Sequence, residues 1–357
     1  MSESNEQMTV VVLGGYGAVG SAVCEALVRT FSGRVVVAGR NFQRAELLAK
    51  HLGERAEPMW LDASEPETYK DFLDHVSVVV NCVEGNNLVV ARQCLAKSVH
   101  YVDVTATANV IDQLQTLDAD ARRAGAAGVF CFCVAPGLTN LLAHHAKSRC
   151  CPLKRLNIFV LLGLGEQHGG AAIEWTLKQA GKTFSIREDG RVRQVSAFSE
   201  GLSTEFPEPF GRRTAYRFDF SDQHTLPSTL ELENVSTWLC FDSRAATMIL
   251  GCLSRLRFFS IRPLWRWSGA VSNLSRWVAM GGTEFAVQVD AVGRDGGERR
   301  FALVGDGEAR ITGVVAAHVA ESLLRPSTPS GALHIEQLLS LETILDAMDE
   351  KFTLTEK

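Results

Sequence analysis

The chain has 357 residues, of which 46% are hydrophobic and 22% charged, and a formal net charge of -5 at neutral pH. One hydrophobic core rarely organises so long a chain, so two lobes are expected. The small net charge with mixed signs excludes a broad basic field for nucleic acid and an acidic tail, and no uninterrupted apolar stretch of about eighteen residues offers a membrane span.

The nine cysteines form no Cys-x-x-Cys pair and lie mostly in apolar runs such as "VFCFCV" and "VVNCV". They read as buried thiols in a reducing compartment. The opening "MSESNEQ" is polar and acidic rather than a charged-then-apolar leader, so a cytoplasmic location is expected.

From Thr9 to about Lys147, short β-branched runs alternate with helical patterns. The strand candidates are "TVVVLG", "RVVVAG", "EPMWLD", "VSVVVNCV", "HYVDVT" and "AGVFCFCV". Between them Val19, Val23, Ala26 and Leu27 share a helical face, as do Leu48 with Leu52, and Leu114 with Leu117 and Ala121. Strands that are apolar without alternation are buried on both faces, the habit of parallel sheets. Right-handed crossovers between such units give a doubly wound α/β (Rossmann) domain, expected over residues 1–148. Beyond "CCPLKRL" the segments "NIFVLLGLG", "AYRFDF", "STWLCF" and "TEFAVQVDAVG" carry turn signals such as "REDGR" and "RDGGE". A second, mostly antiparallel α+β domain is expected there, over 149–310. Helical patterns return in "ITGVVAAHVAESLL" and, after the linker "RPSTPSG", in "IEQLLSLETILDAM". These are expected as C-terminal helices, 311–357, packing back on the first domain.

Gly15-Tyr16-Gly17-Ala18-Val19-Gly20 fits G-x-G-x-x-G, with Gly14 as an additional glycine ahead of it. The spacing alone is weak, but here a strand precedes it and an apolar-faced helix follows. In that setting the early glycines permit a tight turn and close approach of a pyrophosphate, and Gly20 lets the helix pack near the strand. The helix start then faces the anion. The second strand ends in Gly39-Arg40-Asn41, with Arg44 a turn further on. An NAD site places an acid there for the ribose 2'-hydroxyl, whereas a guanidinium can hold a 2'-phosphate through paired charged bonds. NADP(H) is therefore the expected cofactor. Asp62, in "MWLDASEP", is placed to meet the adenine amino group or to serve as an ordinary turn residue.

The motifs "GGYGAVGSAV", "VVVAGR", "VVNCV", "HYVDVT" and "VAPGLTNLLA" stand in an order and spacing that resembles the saccharopine dehydrogenase-like NADP-binding domain, from about Val10 to Ala146. The resemblance implies a nicotinamide-dependent oxidoreductase that makes or breaks C-N bonds at amino-acid-derived carbons by hydride transfer, and a homodimer formed through the second lobe. Relatives of the same type include enoyl reductases. Where saccharopine reductases carry Leu-Asp-Pro-Gly, this chain has Val134-Ala135-Pro136-Gly137.

Ligands of a doubly wound sheet lie beyond the carboxyl ends of its strands. That rule nominates Asn81, Cys82 and Val83 after the fourth strand, Asp103 and Thr105 at the fifth, and Val134 to Gly137, with Pro136 and Gly137 foremost, after the sixth. Asn81 and Thr105 can hydrogen-bond ribose or carboxamide; Pro136 and Gly137 can shape a wall and open the next helix. Asp103, flanked by apolar residues, must find a partner or shift its pKa, and can steady a cationic substrate group or bond local backbone. In "GLGEQHGGAAIEWTLKQAG" His168 can pass a proton near neutral pH or sit as a surface turn residue. Cys131 and Cys133 read as core, and His144-His145 lacks the acids of a metal site. The run Arg244 to Trp277, rich in arginine and aromatic residues, fits a subunit interface and pocket wall, with lipid contact the lesser alternative because Pro263 interrupts any long amphipathic helix.

Together these features lead to an NADP(H)-dependent oxidoreductase acting on a C=N bond of an amino-acid- or amine-derived small molecule. Two alternatives stay open: C=C reduction of an acyl chain, kept by the aromatic middle lobe, and an NADP-binding sensor or scaffold without turnover, suggested by Ala135.

Overall fold

The computed structural model describes residues 8–105, 107–130, 134–150, 152–165, 176, 179–180, 182–256, 281–348 and 353–357. The chain forms two compact units. The first joins Met1–Cys133 with Ala309–Leu339, the second Val134–Glu308 with Ser340–Lys357.

In the first unit the strands are β1 (Thr9–Leu13), β2 (Arg34–Gly39), β3 (Ala56–Trp60), β4 (Val78–Asn81), β5 (His100–Asp103) and β6 (Ala127–Phe130). They are linked by helices α1 (Ala18–Thr30), α2 (Phe42–Leu52), α3 (Asn87–Ala96), α4 (Ala108–Gln115) and α5 (Asp118–Ala124). All pairings are parallel, in the order β3-β2-β1-β4-β5-β6, and Gly331–His334 (β15) adds a seventh strand beside β6. This is the doubly wound arrangement that the uniformly apolar strands require: every residue of β1 and β4 is buried, so both faces of the sheet must be covered. α1 turns Gly20, Val23, Cys24, Ala26 and Leu27 inward, and α9 (Glu308–Leu323) lies close enough to α1 that Gly313 meets Ala22. β15 has no counterpart in the sequence pattern. It has four residues, directly after a Pro/Ser/Gly linker, too few to display a period.

The second unit holds α6 (Leu138–Arg149), β7 (Leu153–Leu162), the hairpin β8 (Thr183–Glu188) and β9 (Arg191–Ser196), β10 (Gly201–Phe206), β11 (Gly211–Arg217), α7 (Asp222–Thr229), β12 (Val235–Phe241), α8 (Arg244–Arg255), β13 (Glu284–Gly293) and β14 (Glu298–Asp306). Its sheet runs β10-β11-β12-β7-β13-β14 and ends with β16 (Thr353–Glu356). Every neighbouring pair is antiparallel except β7 with β12. The expected helix "IEQLLSLETILDAM" is interrupted: a 3-10 turn spans Ile335–Gln337 and α10 begins at Leu341 and ends at Ala347. Ser340 causes the break, because its hydroxyl accepts from the Thr343 N-H and so starts a new helix. No helix among the described residues is long and apolar enough to cross a membrane.

One buried charge ties the hairpin to this sheet. Arg217, 4% exposed, donates from Nε to Glu200 at 2.6 Å and from Nη2 to Glu188 at 3.1 Å, and its guanidinium lies 4.4 Å over the Trp238 ring. Arg193 reaches the same two carboxylates. The hydrogen bond from Arg193, and then that from Arg217, hold Glu200 down at about 2, against an ordinary 4.5. A carboxylate depressed in the folded state contributes stability above its unfolded pKa and loses it as pH falls through the folded one. Chemical denaturation should therefore show stability falling between about pH 4.5 and about pH 2 more steeply for the unaltered protein than for Glu200→Gln. At neutral pH that variant should be weaker by about 1–2 kcal/mol, since Glu188 still pairs with Arg217; parallel pH profiles would contradict this assignment.

Candidate functional site

The glycine turn is fastened to β2 before α1 begins. The N-H groups of Gly14 and Gly15 both donate to the Ala38 carbonyl, at 2.8 and 3.1 Å, and Gly17 N-H donates to Gly14 O at 2.9 Å. α1 then opens without a side-chain cap at Gly17. Ser21 N-H returns to Gly17 O, whereas the N-H groups of Ala18, Val19 and Gly20 have no acceptor among the described residues. Helix starts leave such donors orphaned, and their aligned dipoles favour an anion in front of them. The approach depends on Gly20: a Cβ there would lie 2.2 Å from Gly14 O, so any side chain would force turn and helix apart.

Next to this turn, Tyr16 organises the end of β2. Its hydroxyl accepts from Asn41 N-H at 2.8 Å, and its carbonyl accepts from Arg44 Nη2 at 3.2 Å. The Arg44 guanidinium lies 4.9 Å over the Tyr16 ring, and the Asn41 side chain caps α2 by accepting from Arg44 N-H at 3.0 Å. The ring fits because Gly39 has no Cβ; one would stand 2.6 Å from Tyr16 Cε1. Beside it opens a cavity of about 350 Å³ lined by Tyr16, Ser21, Arg44, Leu47, Leu48 and His51. Arg40 is exposed and makes no hydrogen bond or ion pair among the described residues. Its charge acts on Asp62, whose carboxyl is held below the usual range first by the Ser64 hydroxyl and in lesser part by Arg40. Asp62 Oδ1 also accepts from Ser64 N-H at 2.9 Å, which makes it a turn-forming aspartate.

At the carboxyl ends of β4 and β5 the nominated residues come together, but facing inward. Asp103 is 1% exposed. It accepts from the Tyr101 hydroxyl, from Asn87 Nδ2 at 2.9 Å, from Asn81 Nδ2 at 3.2 Å and from Thr105 N-H at 3.0 Å. Burial pushes its carboxyl up, and these four neutral donors oppose that shift. Asn81, opposite Asp103 in the β4–β5 register, also bonds Val83 through both ends of its amide, at 3.1 and 3.3 Å. Val83 in turn packs on Gly14. The buried carboxylate thus fixes the turn Asn81-Cys82-Val83 that supports the glycine loop. Desolvation raises the Cys82 thiol well above its usual value, which disfavours the nucleophilic thiolate. Thr105 Oγ1 accepts from Thr107 N-H at 3.3 Å. Sequence reasoning missed Asn87 altogether; Tyr101, two residues before Asp103 on one strand, was available as a same-face partner.

Pro136 and Gly137 belong to the second unit, where both are buried. Gly137 precedes α6 and donates its N-H to Asn140 Oδ1 at 3.4 Å. His168, Cys131, Cys133 and residues 257–277 of the arginine- and aromatic-rich run lie outside the described residues.

A doubly wound sheet, uncapped amides at the first helix, a glycine that lets turn and helix meet, and an unpaired arginine where an NAD site needs an acid define an NADP-binding domain. The comparisons agree. Residues 10–129 match the model of the saccharopine dehydrogenase NADP binding domain. These residues therefore resemble the NADP-binding domain of saccharopine dehydrogenase. Among solved structures, the apo histidine-tagged saccharopine dehydrogenase (L-Glu forming) from Saccharomyces cerevisiae superposes with a TM-score of 0.70 at 16% identity, covering 98% of this chain and 99% of that one, which shows a shared fold. A mutant meso-DAP dehydrogenase with DAP, from Clostridium tetani E88, reaches a TM-score of only 0.48 at 13% identity over 96% of this chain and 97% of that one. No curated protein matches the chain.

Two substitutions check the site. Arg40→Asp should weaken NADPH binding about tenfold or more in calorimetric titration while sparing NADH, because only the former presents a phosphate to this side chain. Asp103→Ala leaves the polar groups of Asn81, Asn87 and Tyr101 buried without their acceptor, and should cost about 3 kcal/mol or more in urea unfolding. A cost under about 1 kcal/mol would show that water replaces the carboxylate and that the network does not hold the turn.

Proposed function

We propose that the chain transfers a hydride between NADP(H) and the carbon of a C=N bond in an amino-acid- or amine-derived small molecule. The observation that carries the cofactor half is the set of orphaned amides of Ala18, Val19 and Gly20 beside the unpaired Arg40. The substrate half is supported by the fold shared with an enzyme whose name gives glutamate as a product, and by the motif resemblance around "VAPGLTNLLA".

The bound nicotinamide supplies the hydride, so the chain's own residues bind, orient and exclude water. In this proposal the α1 amides hold the diphosphate, Arg40 pairs with the 2'-phosphate, and Arg44, fixed by Tyr16, flanks it. Asn81 and Asp103 act at one remove, by holding Cys82 and Val83 against the loop. Asp103 therefore serves as a buried positioning residue and not as a proton donor. His168 is the proposed proton carrier, chosen on its sequence setting between glycines. Ala135, standing where saccharopine reductases carry aspartate, argues for a substrate other than saccharopine. A homodimer and a cytoplasmic location complete the proposal, the first from the resemblance and the second from the cysteine pattern.

C=C reduction is the second reading, favoured by Met248, Ile249 and Leu256, which α8 and the residue after it expose by 60%, 58% and 74%. The two are separated by following NADPH oxidation with 2-oxo acids plus amines and, in parallel, with enoyl thioesters. Consumption that requires both oxo acid and amine is the expected result. Consumption with enoyl thioesters alone would transfer the assignment to C=C reduction, and tight NADPH binding with no consumption on either panel would support a sensor.

A further inference from the structure

The second unit holds two arginines together that form no ion pair among the described residues. Arg213 lies on β11, beside β12, and β12 runs on through Asp242 and Ser243 to Arg244, the first residue of α8. Arg213 Nη1 donates to Arg212 O at 3.2 Å, and Arg244 Nη2 donates to the same oxygen at 3.3 Å. Two guanidinium groups thus converge on one carbonyl. The Nε of Arg213 is buried with no hydrogen-bond partner. Burial, and next the charge of Arg244, lower the pKa of Arg213.

Asp242 and Glu205 lie near enough to offset this charge in part, but neither forms an ion pair with it. Asp242 is committed to backbone: its Oδ1 accepts from Leu164 N-H at 3.2 Å and Ser243 N-H at 2.7 Å, and its Oδ2 from Gly282 N-H at 2.7 Å. Glu205 stands opposite Arg212 in the β10–β11 register, but Arg212 Nε donates to Ser203 Oγ, at 3.2 Å. Among the described residues no acid forms an ion pair with Arg212, Arg213 or Arg244. Like charges held this close repel unless an anion joins them. Each guanidinium presents a planar fork of donors matched to an oxyanion.

We propose that Arg213 and Arg244 form an oxyanion subsite, which takes the carboxylate or phosphate group of a small molecule at the end of the β7–β12 pair. All of its residues belong to the second unit, and the proposal does not rest on which bond the enzyme reduces.

The test is thermal unfolding of the full chain in succinate, and separately in inorganic phosphate, each against chloride at equal ionic strength. One or both oxyanions should raise the unfolding midpoint of the unaltered protein saturably in the millimolar range. In Arg244→Gln, whose side chain is exposed and whose midpoint in chloride should match the unaltered protein, half-saturation should shift at least tenfold. Arg213→Lys should keep part of the effect, because the charge remains while the fork is lost. A response to succinate identifies a carboxylate ligand, and one to phosphate alone a phosphate ligand. No gain over chloride, or an equal gain in the unaltered protein and Arg244→Gln, overturns the proposal. Anion bound at Arg40 would give that second result and is thereby distinguished.

Discussion

The amides of Ala18, Val19 and Gly20 have no acceptor in the described protein, and much of the first unit is arranged around that incompleteness. A helix opening with a serine or aspartate cap would satisfy one of them from within and lose part of its attraction for an anion. Gly17 provides no such cap. Gly20 admits no side chain between turn and helix, so the positive end of α1 lies directly under the loop. Binding at such a place exchanges water for phosphate oxygens without rearranging the backbone, because Gly14 and Gly15 are already bonded to β2.

That rigidity extends inward. Asp103 gathers Tyr101, Asn81, Asn87 and Thr105 from two strands, a helix start and a loop, and Asn81 passes the constraint to Val83 under Gly14. A carboxylate surrounded by neutral donors alone is a costly way to cross-link secondary structure, and it works only while every donor is in place. Tyr16 plays the matching part on the outer side, where one ring orders both Asn41 and Arg44. Arg40, by contrast, is left open to an incoming group.

How much of this was legible in the sequence follows from how local each feature is. The β1-turn-α1 unit, the parallel sheet and Arg40 at the end of β2 are written in contiguous residues, so period and motif reveal them. β15 is an isolated four-residue strand whose only signal is its pairing with β6, some two hundred residues earlier. Asp103 was visible as a buried acid, but its inward orientation was not, since Asn81 and Asn87 reach it through strand register and a helix start. The convergence of Arg213 and Arg244 depends in the same way on β11 lying beside β12. Residues that meet only through register leave no trace in spacing.

The central claim is electrostatic: the α1 amides hold a diphosphate while Arg40 takes the charge that separates NADPH from NADH. Paired calorimetric titrations of the unaltered protein with the two reduced cofactors test it most directly. The account predicts measurable binding of both, with NADPH tighter by about tenfold or more. Equal affinities would contradict the role of Arg40, and heat from neither cofactor would contradict the site itself.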